Sequence, residues 1–167
     1  EPISDDEIAK VLKEGIQNAD IIPVICGSAT SLQGVCLLLD EILELVPAAS
    51  ETIEHAASAD GEVVLTPDPD APLVAFAFKT VAAPHVGRVP YFRVYQGPLH
   101  SNSHVTNASR DEAERVGQVF HVRGKEHINV DAIGPGDLGA VGKLNSVLTG
   151  DTVTSEGYSV TLAGLSL

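Results

Sequence analysis

The stretches LVAFAFK at Leu73–Lys79 and YFRVY at Tyr91–Tyr95 decide the fold of the second half, because larger apolar side chains alternate in them with small or polar ones. A period of two is typical of a β-strand with one buried face. The same period returns at Arg115–Val122, and glycine-containing turns separate the segments. Later strands are predicted at Ile128–Ala132, Leu138–Val141 and Tyr158–Leu162. Short strands at this spacing indicate an all-β architecture over residues 73–167, a closed antiparallel β-barrel or sandwich.

Residues 1–47 follow another pattern, which predicts a helix, a strand and a second helix. Ser4–Glu7 is a capping box, and apolar residues at helical spacing follow it as far as Ala19. Asp20–Cys26 is an almost fully apolar run, typical of a strand buried on both faces of a parallel sheet. The second helix is predicted at Val35–Val46 and ends at the following proline. Because one strand cannot form a sheet, this α-β-α succession indicates the end of an α/β domain.

The segment between these two regions, residues 48–72, is predicted to be a linker. It contains three prolines and several acidic residues without a sustained period, and Asp60-Gly61 is a turn signal. One short strand is compatible with Glu62–Thr66. We therefore expect residues 1–47 and 73–167 to be separate domains.

The composition limits the class of protein. The chain has 167 residues, 44% of them hydrophobic, which suits one ordinary domain or two small ones. It contains neither an apolar run of about 18 residues nor an N-terminal signal pattern, so we expect a soluble, cytoplasmic protein without a membrane partner. Cys26 and Cys36 lie in apolar runs and are expected to be reduced core residues. Methionine is absent even at position 1, so we expect a piece of a longer protein.

The charge is divided unevenly along the chain. The formal net charge of −13 falls on residues 1–70, which hold 2 of the 10 basic and 15 of the 23 acidic residues. Residues 71–167 hold eight of each sign and are neutral. Because binding to nucleic-acid phosphates needs basic side chains, we expect no DNA partner, and any contact with a polyanion belongs to the second half.

The motifs that suggest catalysis or a metal site fail on their context. Gly134–Gly139 matches the dinucleotide-binding fingerprint literally, but a β-rich segment follows it where a helix is required, so a hairpin turn is predicted. His100 and His104 are not accompanied by a third ligand at a recognisable spacing. The sequence contains no Gly-x-Ser-x-Gly elbow. We therefore predict no catalytic residue and no metal ligand in this chain.

In their order and spacing, several blocks of the chain resemble elongation factor G. They are IPVICGSA at Ile22–Ala29, LLLD at Leu37–Asp40, RVYQGPL at Arg93–Leu99 and the long block Gly134–Thr152. The resemblance covers nearly the whole chain and is weakest in the linker. It implies that residues 1–47 are the C-terminal end of a P-loop GTPase domain and that residues 73–167 are domain II, the β-barrel of translation factors.

The resemblance also implies a nucleotide loop. Gly27, Ser28 and Ala29 match the family's fifth guanine-nucleotide motif, in which backbone amides approach the base carbonyl. A small-residue loop between a strand and a helix N-terminus agrees with this assignment, because it exposes amide donors and leaves space for a planar base. Taken alone, the same three residues read as a plain helix cap.

Other motifs of the family do not occur in this sequence: the phosphate-binding loop, the switch segments, the magnesium-coordinating Asp motif and Asn-Lys-x-Asp. Phosphoryl transfer needs these groups to position phosphates, metal and water together. We therefore expect no GTP hydrolysis by this chain and no cofactor in it. GTP or GDP and magnesium are expected only in the full-length parent.

The resemblance gives partners as well. In the family the barrel packs against the GTPase domain and touches small-subunit ribosomal RNA, so the expected partners are the ribosome and the rest of the GTPase domain. Arg88 and Arg93 are the candidate phosphate contacts, with solvated strand residues as the alternative reading. Tyr91 and Tyr95 are suited to stacking on a base or to covering a barrel face.

Asp111-Glu112 is acidic where elongation factor G is usually basic, which favours a divergent, elongation-factor-G-like paralogue.

Two other functions are compatible with the sequence. One alternative is a fragment of another translational GTPase, of the ribosomal-protection or peptide-release type. The other is a non-catalytic binding barrel unrelated to translation.

Overall fold

The computed structural model describes residues 3–83, 87–142, 144 and 146–164 of the chain. The chain divides into two compact units, Glu1–Glu51 and Thr52–Leu167. The described part of the first unit is helical, whereas that of the second consists of strands and turns. No helix in the described ranges is long and apolar enough to cross a membrane.

Two helices form most of the first unit, α1 at Asp5–Gln17 and α2 at Val35–Leu45, and a turn of 3-10 helix follows at Ala49–Glu51. The capping box of α1 is confirmed: the Glu7 amide donates to Ser4 Oγ at 3.3 Å, and the Ser4 amide donates to Glu7 Oε2 at 2.9 Å. The bonds that the Glu7 carboxylate accepts from the Ser4 amide and, at 3.0 Å, from the Ser4 hydroxyl lower its pKa below the ordinary value. Local sequence therefore defines both helices to within about two residues.

The strand predicted at Asp20–Cys26 is not formed. Residues 21–27 belong to no helix or strand, and Ile22 and Val24 expose 82% and 87% of their surface. Leu45 is the one buried apolar side chain in the described part of this unit. A strand is stabilised by hydrogen bonds to a neighbouring strand, and none of the described residues is placed to supply them. An apolar composition indicates a strand but cannot provide its partner.

The prediction that the two cysteines are core residues is also wrong. Cys26 and Cys36 are both free thiols and both exposed. Cys26 lies in the unpaired segment 21–27, and Cys36 lies in the first turn of α2. Because little of this unit is buried, apolar neighbours in the sequence do not cover these side chains.

Thirteen strands are described in the second unit. They are β1 Glu54–Ser58, β2 Gly61–Leu65, β3 Val74–Ala83, β4 Gly87–Gln96, β5 Leu99–His100, β6 His104–Asn107, β7 Glu112–Arg115, β8 Val119–Arg123, β9 Glu126–Val130, β10 Ala132–Ile133, β11 Leu138–Val141, β12 Thr152–Thr154 and β13 Val160–Leu162. Eight of them form one antiparallel sheet in the order β7-β6-β12-β3-β4-β11-β8-β9. Three form a second sheet in the order β13-β1-β2, and β5 pairs with β10.

The large sheet curves around the main core. Alternate residues of β3 and β4 face inward, and Ala75, Ala77, Phe92 and Val94 pack there with apolar residues from β6, β8, β11 and β12. The predicted domain II barrel architecture is confirmed, although the described sheet is not closed, since β7 and β9 remain its end strands. The short β5–β10 ladder links the β6–β7 end of this sheet to its β8–β9 end, because β5 leads into β6 and β10 follows β9.

Residues 48–72 are more than a linker. β1 and β2 form a hairpin within them, and β13 pairs with β1. This three-stranded sheet packs on the outer face of β3, where Leu65, Phe76 and Val160 are buried together. The strand foreseen at Glu62–Thr66 corresponds to β2, whereas β1 was not predicted. Its sequence EHAAS contains few β-forming residues, so pairing with two neighbours determines its conformation.

The turn predicted at the dinucleotide-like motif is present but does not form a hairpin. The Asp137 amide donates to the Gly134 carbonyl at 3.2 Å. The strands on either side, β10 and β11, pair with other strands instead of with each other. β11 follows directly at the predicted Leu138–Val141, so no helix N-terminus is available here for a pyrophosphate.

Candidate functional site

The Gly27-Ser28-Ala29 loop is a closed turn held by Ser28. The Ser28 amide donates to the Gln33 carbonyl at 2.9 Å, which forms an isolated β-bridge between these residues. The Ser28 hydroxyl lies 3.2 Å from the Thr30 hydroxyl and 3.4 Å from the Ser31 amide. Because its amide and hydroxyl both form hydrogen bonds within the turn, Ser28 stabilises the conformation of the loop.

Gly34 is a part of this loop that sequence reasoning missed. It is the N-cap of α2, which begins at Val35 as predicted. Its φ of +76° lies in the left-handed region, and a Cβ there would lie 2.6 Å from the Cys26 carbonyl oxygen. Only glycine fits such a close approach without strain. The available signal was a glycine placed immediately before an apolar helix.

A cavity of about 270 Å³ opens beside this loop. Its lining residues are Ile25, Gly27, Ser28, Ala29, Gly34, Val35 and Leu38. None of them carries a charge, and within the described ranges no acceptor is found for the Ala29 amide. The cavity therefore suits a small uncharged group that accepts one or two backbone hydrogen bonds, but its lining offers no cation for a phosphate.

The outer face of β4 carries the second group of predicted site residues. Tyr91, Arg93 and Tyr95 alternate with buried residues and face outward. The Arg93 guanidinium lies over the Tyr95 ring, 4.7 Å from its centroid. Burial raises the pKa of the Tyr95 hydroxyl, while the positive charge of Arg93 opposes this rise and the carboxylate of Glu54 adds to it. Arg93 is therefore a half-buried cation held in place by an aromatic ring.

Arg88 and Arg93 lie on the same strand but are not brought together. Arg88 is exposed at the start of β4 opposite Ala82, whereas Arg93 lies opposite Phe76. Five residue steps separate the two Cα atoms by roughly 17 Å, and an odd number of steps directs the side chains to opposite sides of the strand. The two arginines therefore cannot contact one phosphate together. The preceding residues 84–86 lie outside the described ranges.

A β-bulge adds a cation to the face that carries Arg93. In the β3–β4 register Ala77 lies opposite Phe92 and Lys79 opposite Tyr91, so Phe78 is an extra residue. Phe78 meets the Tyr91 ring edge-on at 6.4 Å between centroids, and Lys79 Nζ lies 6.0 Å from the same centroid. Sequence reasoning did not select Lys79, because a bulge that re-aims a side chain leaves no mark in the alternation.

A buried polar cluster holds two loops of the barrel together. The Asp151 carboxylate accepts hydrogen bonds from Asn107 Nδ2 at 2.9 Å, Arg110 Nε at 2.8 Å and the Leu148 amide at 2.9 Å. Burial by itself would raise the pKa of Asp151, but the bonds from Arg110, Leu148 and Asn107 together lower it below its ordinary value. The cluster fixes residues 107–110 against residues 148–151 and is structural.

Within the part of the chain that the structure describes, no group of three or more His, Cys, Asp or Glu side chains is placed to hold a metal ion. The two histidines weighed in the sequence, His100 and His104, lie on β5 and β6, and a turn at residues 101–102 separates these strands. Two candidate sites lie among the described residues: the cavity beside the Gly27-Ser28-Ala29 loop and the face of β4 that carries Arg93 together with Lys79.

Comparison with known proteins bears on the barrel above all. The family model described as elongation factor G domain 2 matches residues 72–156. A crystal structure of a protein from Thermus thermophilus superposes with a TM-score of 0.69 at 23% sequence identity and covers 95% of this chain. The chain spans 21% of that protein, about a fifth of its length. At this identity the structural likeness shows the fold alone. The three strands β1, β2 and β13 lie outside the family match.

Proposed function

Because the chain belongs to the elongation factor G domain 2 family, we propose that it is part of an elongation-factor-G-like translational GTPase. In that parent it couples the nucleotide-binding domain to the ribosome, while GTP hydrolysis drives movement on the ribosome. The observation that carries this proposal is a barrel of this family joined in sequence to an apolar extended segment without a strand partner among the described residues.

The first unit is, in this proposal, the end of the GTPase domain. Ile22 and Val24 point into solvent, whereas Pro23 and Ile25 line a cavity with α1 and α2. One side of the segment is thus partly covered by the two helices, and the other side lacks its covering layer. Burial of apolar surface is worth about 25 cal/mol per Å², so a sheet and helices supplied by the rest of the domain would stabilise this unit.

The encoding gene tests the domain assignment directly. We expect the reading frame upstream of Glu1 to encode a phosphate-binding loop and an Asn-Lys-x-Asp motif in the order typical of P-loop GTPases. A frame that encodes neither motif would contradict the assignment of the first unit. It would leave only the barrel family in place.

The loop of Gly27, Ser28 and Ala29 is proposed to contact the guanine base in the parent. The Gly27 and Ala29 amides are the proposed donors for this contact, because neither has an acceptor among the described residues and the Ser28 amide is bound to Gln33. One or two such bonds contribute about 1 kcal/mol each, whereas micromolar binding requires about 8 kcal/mol. We therefore propose that this chain alone neither hydrolyses GTP nor holds a cofactor. Calorimetry that shows GDP binding with a Kd below roughly 10 μM would contradict this proposal.

Arg88 and Arg93 are proposed as phosphate contacts with small-subunit ribosomal RNA. Because they lie on opposite sides of β4, they would meet different segments of RNA, and their contributions should be additive. The test is co-sedimentation of the chain with purified small ribosomal subunits at about 50 and 200 mM salt. We expect Arg88→Ala and Arg93→Ala each to lower the sedimented fraction, and most clearly at low salt. Sedimentation that neither substitution changes would remove both residues from the docking surface.

A further inference from the structure

We propose that Lys79 and Arg93 together form a two-cation contact for an RNA phosphate backbone on the outer face of β4 and the adjoining Lys79 end of β3, outside the area where the three-stranded sheet buries Val74 and Phe76. The inference rests on the ribosome-docking function proposed above and deepens it by naming the surface that meets RNA. It also differs from the arginine pair indicated by the sequence, because it replaces Arg88 on this surface with Lys79.

The register places the two cations side by side. Lys79 lies opposite Tyr91, and Arg93 is two residues further along β4. Such diagonal neighbours on adjacent strands are about 7–8 Å apart, close enough to reach neighbouring phosphates of one strand. The bulge at Phe78 creates this pair, because it turns Lys79 toward the Tyr91 ring on the face that also carries Arg93.

Both cations are supported by rings and are not neutralised by carboxylates. Lys79 lies over Tyr91 and Arg93 over Tyr95, and in the described ranges neither forms an ion pair. Two other arginines of the barrel are engaged, Arg110 with Asp151 and Arg123 with Glu126, each at 2.8 Å. A cation held over a ring but free of a carboxylate keeps its charge available for a phosphate.

Two carboxylates, those of Asp137 and Glu54, lie near this face and bear on the binding of a phosphate. Asp137 precedes Leu138, the β11 residue opposite Arg93, but its carboxylate accepts from the Leu138 amide at 2.7 Å and lies 3.7 Å from His121. Glu54 lies opposite Leu65, which packs in the same apolar cluster as Tyr95, so its carboxylate belongs to the Arg93 side of the surface. Among the described residues the surface therefore carries two cations without an ion pair and two acidic neighbours, Asp137 and Glu54, and removal of the Glu54 charge should strengthen phosphate binding.

The experiment measures binding of the 167-residue chain to a fluorescein-labelled oligouridine of about 12 nucleotides by anisotropy, at about 50 and 200 mM salt. We expect Lys79→Ala and Arg93→Gln each to weaken binding about three- to tenfold at the lower salt. The double variant should lower the slope of log K against log salt by about 1.4, since each phosphate contact with a single strand contributes about 0.7. Glu54→Gln should tighten binding about twofold.

Lys125→Ala is the matched control, because it removes the same charge from the exposed turn between β8 and β9, and it should change binding less than twofold. Equal effects of Lys125→Ala and Lys79→Ala would overturn the inference, because they would show a diffuse charge effect. Lys79 is exposed, so its variant decides the question even if Arg93→Gln disturbs packing on Tyr95. Oligouridine binding that depends on Lys79 without sedimentation on small subunits would refute the ribosome proposal and support this surface.

Discussion

The two units place similar apolar sequences in opposite surroundings. In the first, Ile22 and Val24 extend into solvent although their segment is almost fully apolar. In the second, Phe92 and Val94 are fully buried although polar or aromatic residues alternate with them. The difference lies in the neighbours, because β4 has β3 and β11 beside it whereas no described strand adjoins residues 21–27.

This contrast shows that hydrophobicity supplies a driving force but not a location for burial. An apolar strand becomes part of a core only when other strands satisfy its backbone and other side chains cover its faces. In the barrel, the described strands pair with one another and their apolar side chains are covered. In the first unit, residues 21–27 have no described strand partner, and only Leu45 is buried among the described apolar side chains. The first unit should therefore be the less stable of the two.

The largest expected effect distinguishes the buried from the exposed apolar side chain. Phe92→Ala should lower the free energy of unfolding of the barrel by about 3–5 kcal/mol, because it removes a fully buried ring from the core. All three tyrosines lie in the second unit, so tyrosine fluorescence during denaturant unfolding reports on the barrel alone. A loss below about 1 kcal/mol would show that the core is not packed around this ring.

Ile22→Ala is the matched control in the first unit. It should change the free energy of unfolding, followed by the helical circular-dichroism signal, by less than about 0.5 kcal/mol, because Ile22 is exposed. In the longer protein proposed above, the same substitution should cost about 2 kcal/mol or more. A large cost in the isolated chain would mean that the segment is already covered, for example by a second copy.

Hydrogen exchange should show the same contrast residue by residue. The amides of Val24 and Ile25 should exchange at least about a hundredfold faster than those of Phe76 and Phe92, because only the latter lie in paired strands. Exchange followed by NMR gives the rates for individual amides. Equal protection in both regions would contradict the unpaired state of residues 21–27.

A smaller effect tests the polar cluster that stabilises the barrel. Asp151→Asn should lower the free energy of unfolding at neutral pH by about 2 kcal/mol, since it weakens the bonds from Arg110, Asn107 and the Leu148 amide. Asp131→Asn, at an exposed carboxylate, is the control and should have little effect. Equal losses of unfolding free energy in the two variants would show that the hydrogen bonds to Asp151 do not stabilise the barrel.

The pH dependence of this effect follows from the lowered pKa of Asp151. A carboxyl with a lowered pKa in the folded protein stabilises it fully above the ordinary value of about 3.9. That contribution is lost as the pH falls through the pKa of the folded state. The difference between the wild-type chain and Asp151→Asn should therefore narrow on acidification below about pH 4. If the difference in free energy of unfolding between the two proteins stayed constant from about pH 7 to about pH 3, the charge of Asp151 would not be the source of the stabilisation.

Features that depend on neighbouring residues could be predicted from the sequence. The capping box at Ser4–Glu7, the helix that ends before Pro47 and the strand at Leu138–Val141 all appear as predicted. Their causes are local, since hydrogen bonds within a turn and side-chain periodicity act over a few residues. The resemblance to elongation factor G likewise agrees with the family match at residues 72–156.

Features that depend on distant residues could not be predicted. β1 forms because β2 and β13 pair with it, about a hundred residues separating β1 from β13. Lys79 joins Arg93 only because Phe78 bulges in the β3–β4 register. The separation of Arg88 from Arg93, by contrast, follows from their odd spacing along one strand and could be predicted. The loop assignment at Gly27, Ser28 and Ala29 stays a prediction, although Gly34 and the cavity add a structural context to it.

The sequence by itself determined the period of each segment, the N-terminal capping box of its first helix and the family of its barrel. These properties are written in adjacent residues, whose spacing and backbone preferences act before any long-range contact forms. The tertiary structure alone decided which apolar segment is buried, which side chains share the outer face of β4 and which amides of the Ser28 turn stay available. Each of these outcomes depends on a hydrogen-bonding or packing partner that sequence spacing does not specify.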